Sequence, residues 1–179
     1  MNRRRLQLVL AIGVLSLLGV VGVAVATGGG QDIRERLTGY EETPQALSTP
    51  ANGEFKARVS RFSEKLTYRL SYEGFESDVT QAHIHFGAPA ISGGISVFLC
   101  TNLGNGPAGT QMCPTQPAEI EGTITPDDVI GPADQGIAAG EFDELVAAIR
   151  AGATYANVHT DDRPAGEIRA QLEVNRGRN

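Results

Sequence analysis

Basic charge is what this chain is short of once its first residues are passed. All 21 acidic residues but only 12 of the 15 basic ones lie beyond residue 26, a formal balance of −9 over that stretch. So acidic a chain lacks the basic footprint that nucleic acid or an anionic bilayer requires, and it suits an exported protein that stays soluble or binds cations. Cysteine is limited to Cys100 and Cys113, and neither stands in a Cys-x-x-Cys arrangement, which argues against a pair of metal thiolates. A Gly-rich phosphate loop is missing: Gly104-Asn105-Gly106 follows a strand-like run but leads into Pro107, not into a helix. Ser92 and Ser96 have no nucleophile motif around them, and Asp161-Asp162 reads as a turn, so hydrolase chemistry finds no support. Histidine occurs three times in 179 residues.

The N-terminus reads as an address. Arg3, Arg4 and Arg5 precede an uncharged stretch over residues 6–26 that ends in Ala24-Val25-Ala26, the small-x-small pattern of a cleaved secretory signal. About 20 apolar residues would also span a bilayer, so an uncleaved anchor over residues 6–26 is the competing reading, and the Ala-x-Ala pattern favours cleavage. In both cases the arginines hold the N-terminus in the cytoplasm and place the rest outside. Residues 1–26 are thus a signal peptide or anchor, 27–35 a flexible linker opened by Gly28 to Gly30, 36–174 one domain, and 175–179 a tail. Export makes the two cysteines read first as a disulfide, which closes a loop of about 14 residues and stabilises the fold by roughly 3 kcal/mol.

Period-two alternation runs from residue 53 to the end of the domain. Phe55, Ala57 and Val59 alternate with Glu54, Lys56 and Arg58, and Leu66, Tyr68, Leu70 and Tyr72 alternate with Lys65, Thr67, Arg69 and Ser71. Further strand-like runs cover 79–86, 94–100, 119–125, 154–160 and 167–173, with residues 28–52 an extended arm or first strand. The pattern implies a mostly β fold, a Greek-key-like sandwich or barrel of about seven to eight antiparallel strands. One helix interrupts it. Phe142, Leu145, Val146 and Ile149 fall at i, i+3, i+4 and i+7, acidic residues open the first turn, and Gly152 supplies the C-terminal cap. Such a helix plugs one end of the fold or covers a sheet edge.

The histidines fall in two strand-like segments. Alternation places His83 and His85 on one face, with Ala82, Ile84 and Phe86 on the other, toward the core. In the second segment Tyr155, Asn157 and His159 share a face opposite Ala156 and Val158. Two imidazoles about 7 Å apart at Cβ suit joint coordination of one ion. If the two strands are neighbours, His159 completes a three-nitrogen site for copper or zinc, and an open fourth position would make it reactive. The alternative is polar scaffolding: the histidines and Asn157 hydrogen-bond loop backbones and pin the turns that follow Phe86 and Thr160. Arg169 shares a face with Glu167 and Gln171, and Glu41 or Glu42 is a candidate carboxylate partner for it.

Three ordered segments carry a resemblance. Leu37-Thr38-Gly39-Tyr40-Glu41-Glu42-Thr43-Pro44 with Thr49 to Gly53, then Ala82-His83-Ile84-His85-Phe86-Gly87, then Tyr155-Ala156-Asn157-Val158-His159-Thr160 with Pro164-Ala165-Gly166-Glu167-Ile168-Arg169, together resemble the pattern of the CHRD (chordin-type) domain family over residues 36–174. Ala170 departs from it, standing where the family commonly has glycine, and the insertion from Cys100 to Cys113 is outside the general pattern. The resemblance implies a secreted module that binds an extracellular protein or an envelope partner. The residues themselves, apart from the resemblance, offer His83, His85 and His159 as a copper or zinc site, with Asn157, Thr160 and Arg169 in support. His-x-His followed by Gly is also similar to the copper-ligand strand of copper/zinc superoxide dismutase, a Greek-key sandwich. That similarity covers a few residues and makes a copper/zinc redox enzyme the alternative function. Three histidines are too few for the binuclear site of such an enzyme.

Overall fold

Alternating apolar residues have to be buried on one side, and the chain meets that demand with a single sheet curled around its own core. The computed structural model describes residues 30–60 and 62–175, so the apolar stretch at 6–26 and the tail from 176 lie outside the described residues. The strands are β1 (Gln31–Thr38), β2 (Asn52–Val59), β3 (Leu66–Glu73), β4 (Val79–Phe86), β5 (Gly94–Thr101), β6 (Ala118–Ile124), β7 (Thr154–Thr160) and β8 (Ile168–Gln171), with α1 (Phe142–Arg150) between β6 and β7. They form one antiparallel sheet in the order β5-β4-β7-β8-β1-β2-β3-β6. Of the two architectures left open by the sequence, the barrel-like one is found.

The inner face follows the sequence pattern. Phe55, Ala57 and Val59 of β2, Leu66, Tyr68, Leu70 and Tyr72 of β3, and Ile120 and Ile124 of β6 are buried. Gly122 is glycine because the Tyr68 ring lies over it: a Cβ there would sit 2.7 Å from the ring. β1 begins within the stretch read from the sequence as linker (residues 27–35). Ile33 and Leu37 supply its apolar face, and Gln31 to Thr38 run in register against Val59 to Asn52. After β8 the chain returns along β1, with Val174 bridging Ile33.

The sheet's two edges, β5 and β6, are joined by side chains. Tyr68 Oη donates to the carbonyl of Leu99 in β5, and the amide nitrogen of Gln111 reaches Tyr68 Oη at 2.8 Å, Leu99 O at 3.1 Å and Glu121 O of β6 at 3.4 Å. The Cys100–Cys113 disulfide ties the segment that carries Gln111 back to β5. Helix α1 turns Phe142, Leu145, Val146 and Ile149 into the core. It sits at the barrel end where β1 starts, with Arg150 Nε donating to Gln31 at 2.6 Å. The amides of Gly152 and Ala153 return to the carbonyls of Ile149 and Ala148, and Gly152 has φ +68°, the left-handed cap its position calls for. No helix of the described residues is long and apolar enough to cross a membrane.

Candidate functional site

β4, β7 and β8 are adjacent, and their outward faces form a small polar grid. In register, His85 lies across from Tyr155 and Tyr155 from Gln171; His83 lies across from Asn157 and Asn157 from Arg169; Gln81 lies across from His159. His83 and His159 are therefore diagonal neighbours, with His83 Nδ1 3.1 Å from His159 Nε2. The opposite face of the same strands, Ala82, Ile84, Ala156, Val158, Ile168 and Ala170, belongs to the hydrophobic core. Both faces of β4 and β7 are thus covered, one by the core and one by loops. His83 is 1 %, His159 5 % and His85 7 % exposed. β5 bulges twice against β4, between Ala82 and His83 and between Ile84 and His85, which sets Phe98 opposite His83 with the rings edge-on at 4.4 Å.

Most of this grid holds loops in place. The loop from Gly87 to Gly93 is gripped by four of its side chains. His85 Nδ1 donates to Gly93 O at 3.0 Å, and Gly93 N–H donates to Tyr155 Oη at 3.1 Å. Arg169 donates to Ile91 O and Ala88 O at 3.1 and 3.3 Å, and Gln171 to Gly87 O at 2.9 Å. His159 Nδ1 donates to Pro164 O at 3.1 Å and so pins the turn between β7 and β8. The scaffolding role read from the sequence for the turns after Phe86 and Thr160 is what His85 and His159 perform with their Nδ1 atoms. Thr160 donates to Glu167 at 2.6 Å, and Thr49 meets the other oxygen of the same carboxylate at 2.7 Å.

Arg169 is 2 % exposed, and its environment differs from the ion pair expected of it. Among the described residues no carboxylate lies within 4.0 Å of its guanidinium. It reaches the opening segment through the Thr43 hydroxyl, at 2.8 Å, and lies 3.5 Å from the centre of the Tyr155 ring. The Tyr155 ring stacks on His85 at 4.7 Å, so the phenol is sandwiched between guanidinium and imidazole. Glu42, one of the two carboxylates considered for Arg169, accepts instead from Asn157 Nδ2 at 2.6 Å. Asn157 Nδ2 also donates to Ile168 O at 2.8 Å, so its whole donor capacity is spent within the fold.

Burial controls the charge states. Desolvation, with His159 and His85 nearby, drives the His83 ring down to about 2, and desolvation takes His85 and His159 down to about 4. All three are neutral in the fold. Desolvation pushes the Glu42 carboxyl up to about 7, against the opposing pull of Asn157 and Arg169. Gly93, Tyr155, Phe98 and Pro164 complete the layer and were not singled out as site residues by sequence reasoning. Two of them act through backbone carbonyls, which no side-chain motif announces.

With that geometry in view, the family assignment follows from the chain as a whole. The model of the CHRD domain matches residues 33–172. The chain belongs to the CHRD domain family. All three histidines, Glu42, Asn157 and Arg169 fall inside the matched CHRD domain, and so does the insertion closed by Cys100 and Cys113. No curated protein and no solved structure matches the chain.

Proposed function

We propose that this CHRD domain works outside the cytoplasm as a non-enzymatic binding or structural module. One observation carries the reading: the side chains with chemistry to offer are gathered into one layer and then closed off, the three imidazoles at 7 % exposure or less. A catalytic group needs a reacting atom within hydrogen-bond reach, and these rings face loop carbonyls and each other instead. The loops that close the layer carry Tyr40 and Ile91, 73 % and 57 % exposed, on segments joined by a Thr43–Ser92 hydroxyl bond. Those two apolar side chains are available to an extracellular or envelope protein partner. Export is supported by the Cys100–Cys113 disulfide, which persists in oxidising compartments, and by the leader-like residues 1–26.

The alternative, a copper/zinc redox enzyme of dismutase type, asks for a second set of ligands and a route by which substrate reaches the ion. The sequence has no fourth histidine. The test combines fractionation with turnover. The protein is expected in the extracytoplasmic fraction with neither cysteine accessible to a thiol reagent, and its copper- or zinc-loaded form is expected to remove superoxide no faster than a buffer blank. Cytoplasmic recovery with free thiols would contradict the export part. Superoxide turnover that disappears in His83→Ala would overturn the non-enzymatic part.

A further inference from the structure

The imidazole cluster keeps more coordinating capacity than the loops use. A carbonyl can only accept, so the bonds to Gly93 O and Pro164 O fix the proton on Nδ1 of His85 and of His159, and the Nε2 lone pair of each ring is left over. His159 Nε2 accepts a hydrogen bond from His83 Nδ1–H at 3.1 Å, so the proton of neutral His83 sits on Nδ1 and its Nε2 is a bare lone pair as well. Nε2 of His83 and of His85 are buried and have no hydrogen-bond partner. Buried polar atoms without partners are rare because each costs free energy that an apolar side chain would not. The one at His85, in a cluster of three rings, marks a place built for something else to occupy.

We propose that His83, His85 and His159 bind one copper ion in its monovalent state, with one nitrogen of each ring as the complete protein ligand set. One nitrogen from each ring already lies within 4.8 Å of the others. Bonds of about 2.0 Å would set three nitrogens roughly 3.5 Å apart around a trigonal ion, so the set closes by about an ångström. As His83 Nδ1 turns from His159 to the ion, its proton moves to His83 Nε2. All three rings stay neutral and no proton is released.

The charge of the ion follows from the surroundings. The cluster contains no carboxylate and no thiolate. The fixed charge felt at His85 is the guanidinium of Arg169, behind Tyr155. The cost of burying an ion rises with the square of its charge, so a dication held by neutral ligands here costs roughly four times what a monocation does. Zinc also asks for a fourth donor, and the cluster supplies three. Copper accepts imidazole donors, and in its monovalent state it tolerates three-coordination.

The proposal is independent of which partner the module binds and survives if that reading fails. The exported protein is loaded anaerobically with monovalent copper under ascorbate and made to compete with bathocuproine disulfonate, in parallel with a zinc titration. One copper per chain is expected to leave the chelator, and zinc is expected to bind at least about tenfold more weakly. The variant His83→Ala/His85→Ala is expected to release the copper. Because it can also fail to fold, X-ray absorption at the copper edge of the unmutated protein is the second measurement, with three imidazole nitrogens near 2.0 Å expected. No copper taken from the chelator, oxygen or sulfur neighbours at the edge, copper retained by a folded double variant, or zinc bound as tightly would each overturn the proposal.

Discussion

At the scale of single residues, the polar grid turns on Arg169 and Glu42. Arg169 spreads its planar donors over Thr43, Ala88 and Ile91, three points that a lysine ammonium on a flexible stem cannot serve together. Arg169→Lys is therefore expected to lower stability by about 2–4 kcal/mol, read as a fall in denaturation midpoint at constant m. An unchanged midpoint would mean that these bonds contribute nothing net. Glu42 gives a pH signature. Its carboxyl rises from an ordinary 4.5 to about 7 in the fold, so between those values the folded chain keeps a proton that the unfolded chain has released. Its contribution to stability is complete below about pH 4.5 and is lost as pH climbs through 7. Glu42→Gln keeps an acceptor for Asn157 and carries no charge. It is expected to melt above the parent at pH 8, by up to roughly 3 kcal/mol, with the difference vanishing toward pH 4.5. A difference independent of pH would show Glu42 to be ionised in the fold. The sequence placed both residues near the right neighbours and misjudged the partner. Alternation tells which face a side chain takes, but whether Arg169 meets a hydroxyl or a carboxylate depends on the path of the opening segment.

At the scale of elements, the strands were legible because alternating burial is a local signal, and the amphipathic stripe of α1 is equally local. His83 and His85 share a face and His159 joins them because β4 and β7 pair, a fact of topology that motif order could only suggest. The bulges of β5 and the seam made by Gln111 left no trace in the sequence pattern, since each depends on where a second element lies. The connecting turns hold the strictest steric demands. Gly166 has φ +128°, and a Cβ there would lie 2.6 Å from Asn157 Oδ1 and 2.9 Å from Glu42 Oε2. Gly166→Ala is expected to cost about 2 kcal/mol or more, measured by urea unfolding, through strain at both the backbone and the Asn157–Glu42 contact. A cost near zero would show that the turn relaxes. The paired change Cys100→Ser/Cys113→Ser opens the loop that carries Gln111 and is expected to cost about 3 kcal/mol by chain entropy. If the variant matches the parent in stability, the seam is held without the covalent tie.

At the scale of the whole molecule, one curled sheet carries an apolar interior and, on the outside of β4, β7 and β8, a second buried layer made of polar side chains. Strands covered on both faces rarely carry polar side chains on one of them, because every donor and acceptor so buried needs a partner. Here the partners are the loop from Gly87 to Gly93, the turn before β8 and the opening segment around Thr43, so the polar layer ties the irregular parts of the chain to the regular ones. The non-enzymatic reading depends on that layer being closed. Exchange of the imidazole C2 hydrogens with deuterium, followed residue by residue by mass spectrometry, tests it most directly. His83, His85 and His159 are each expected to exchange far more slowly in the native protein than in urea; exchange at the free-imidazole rate at any of the three would mean an open site and would contradict the account.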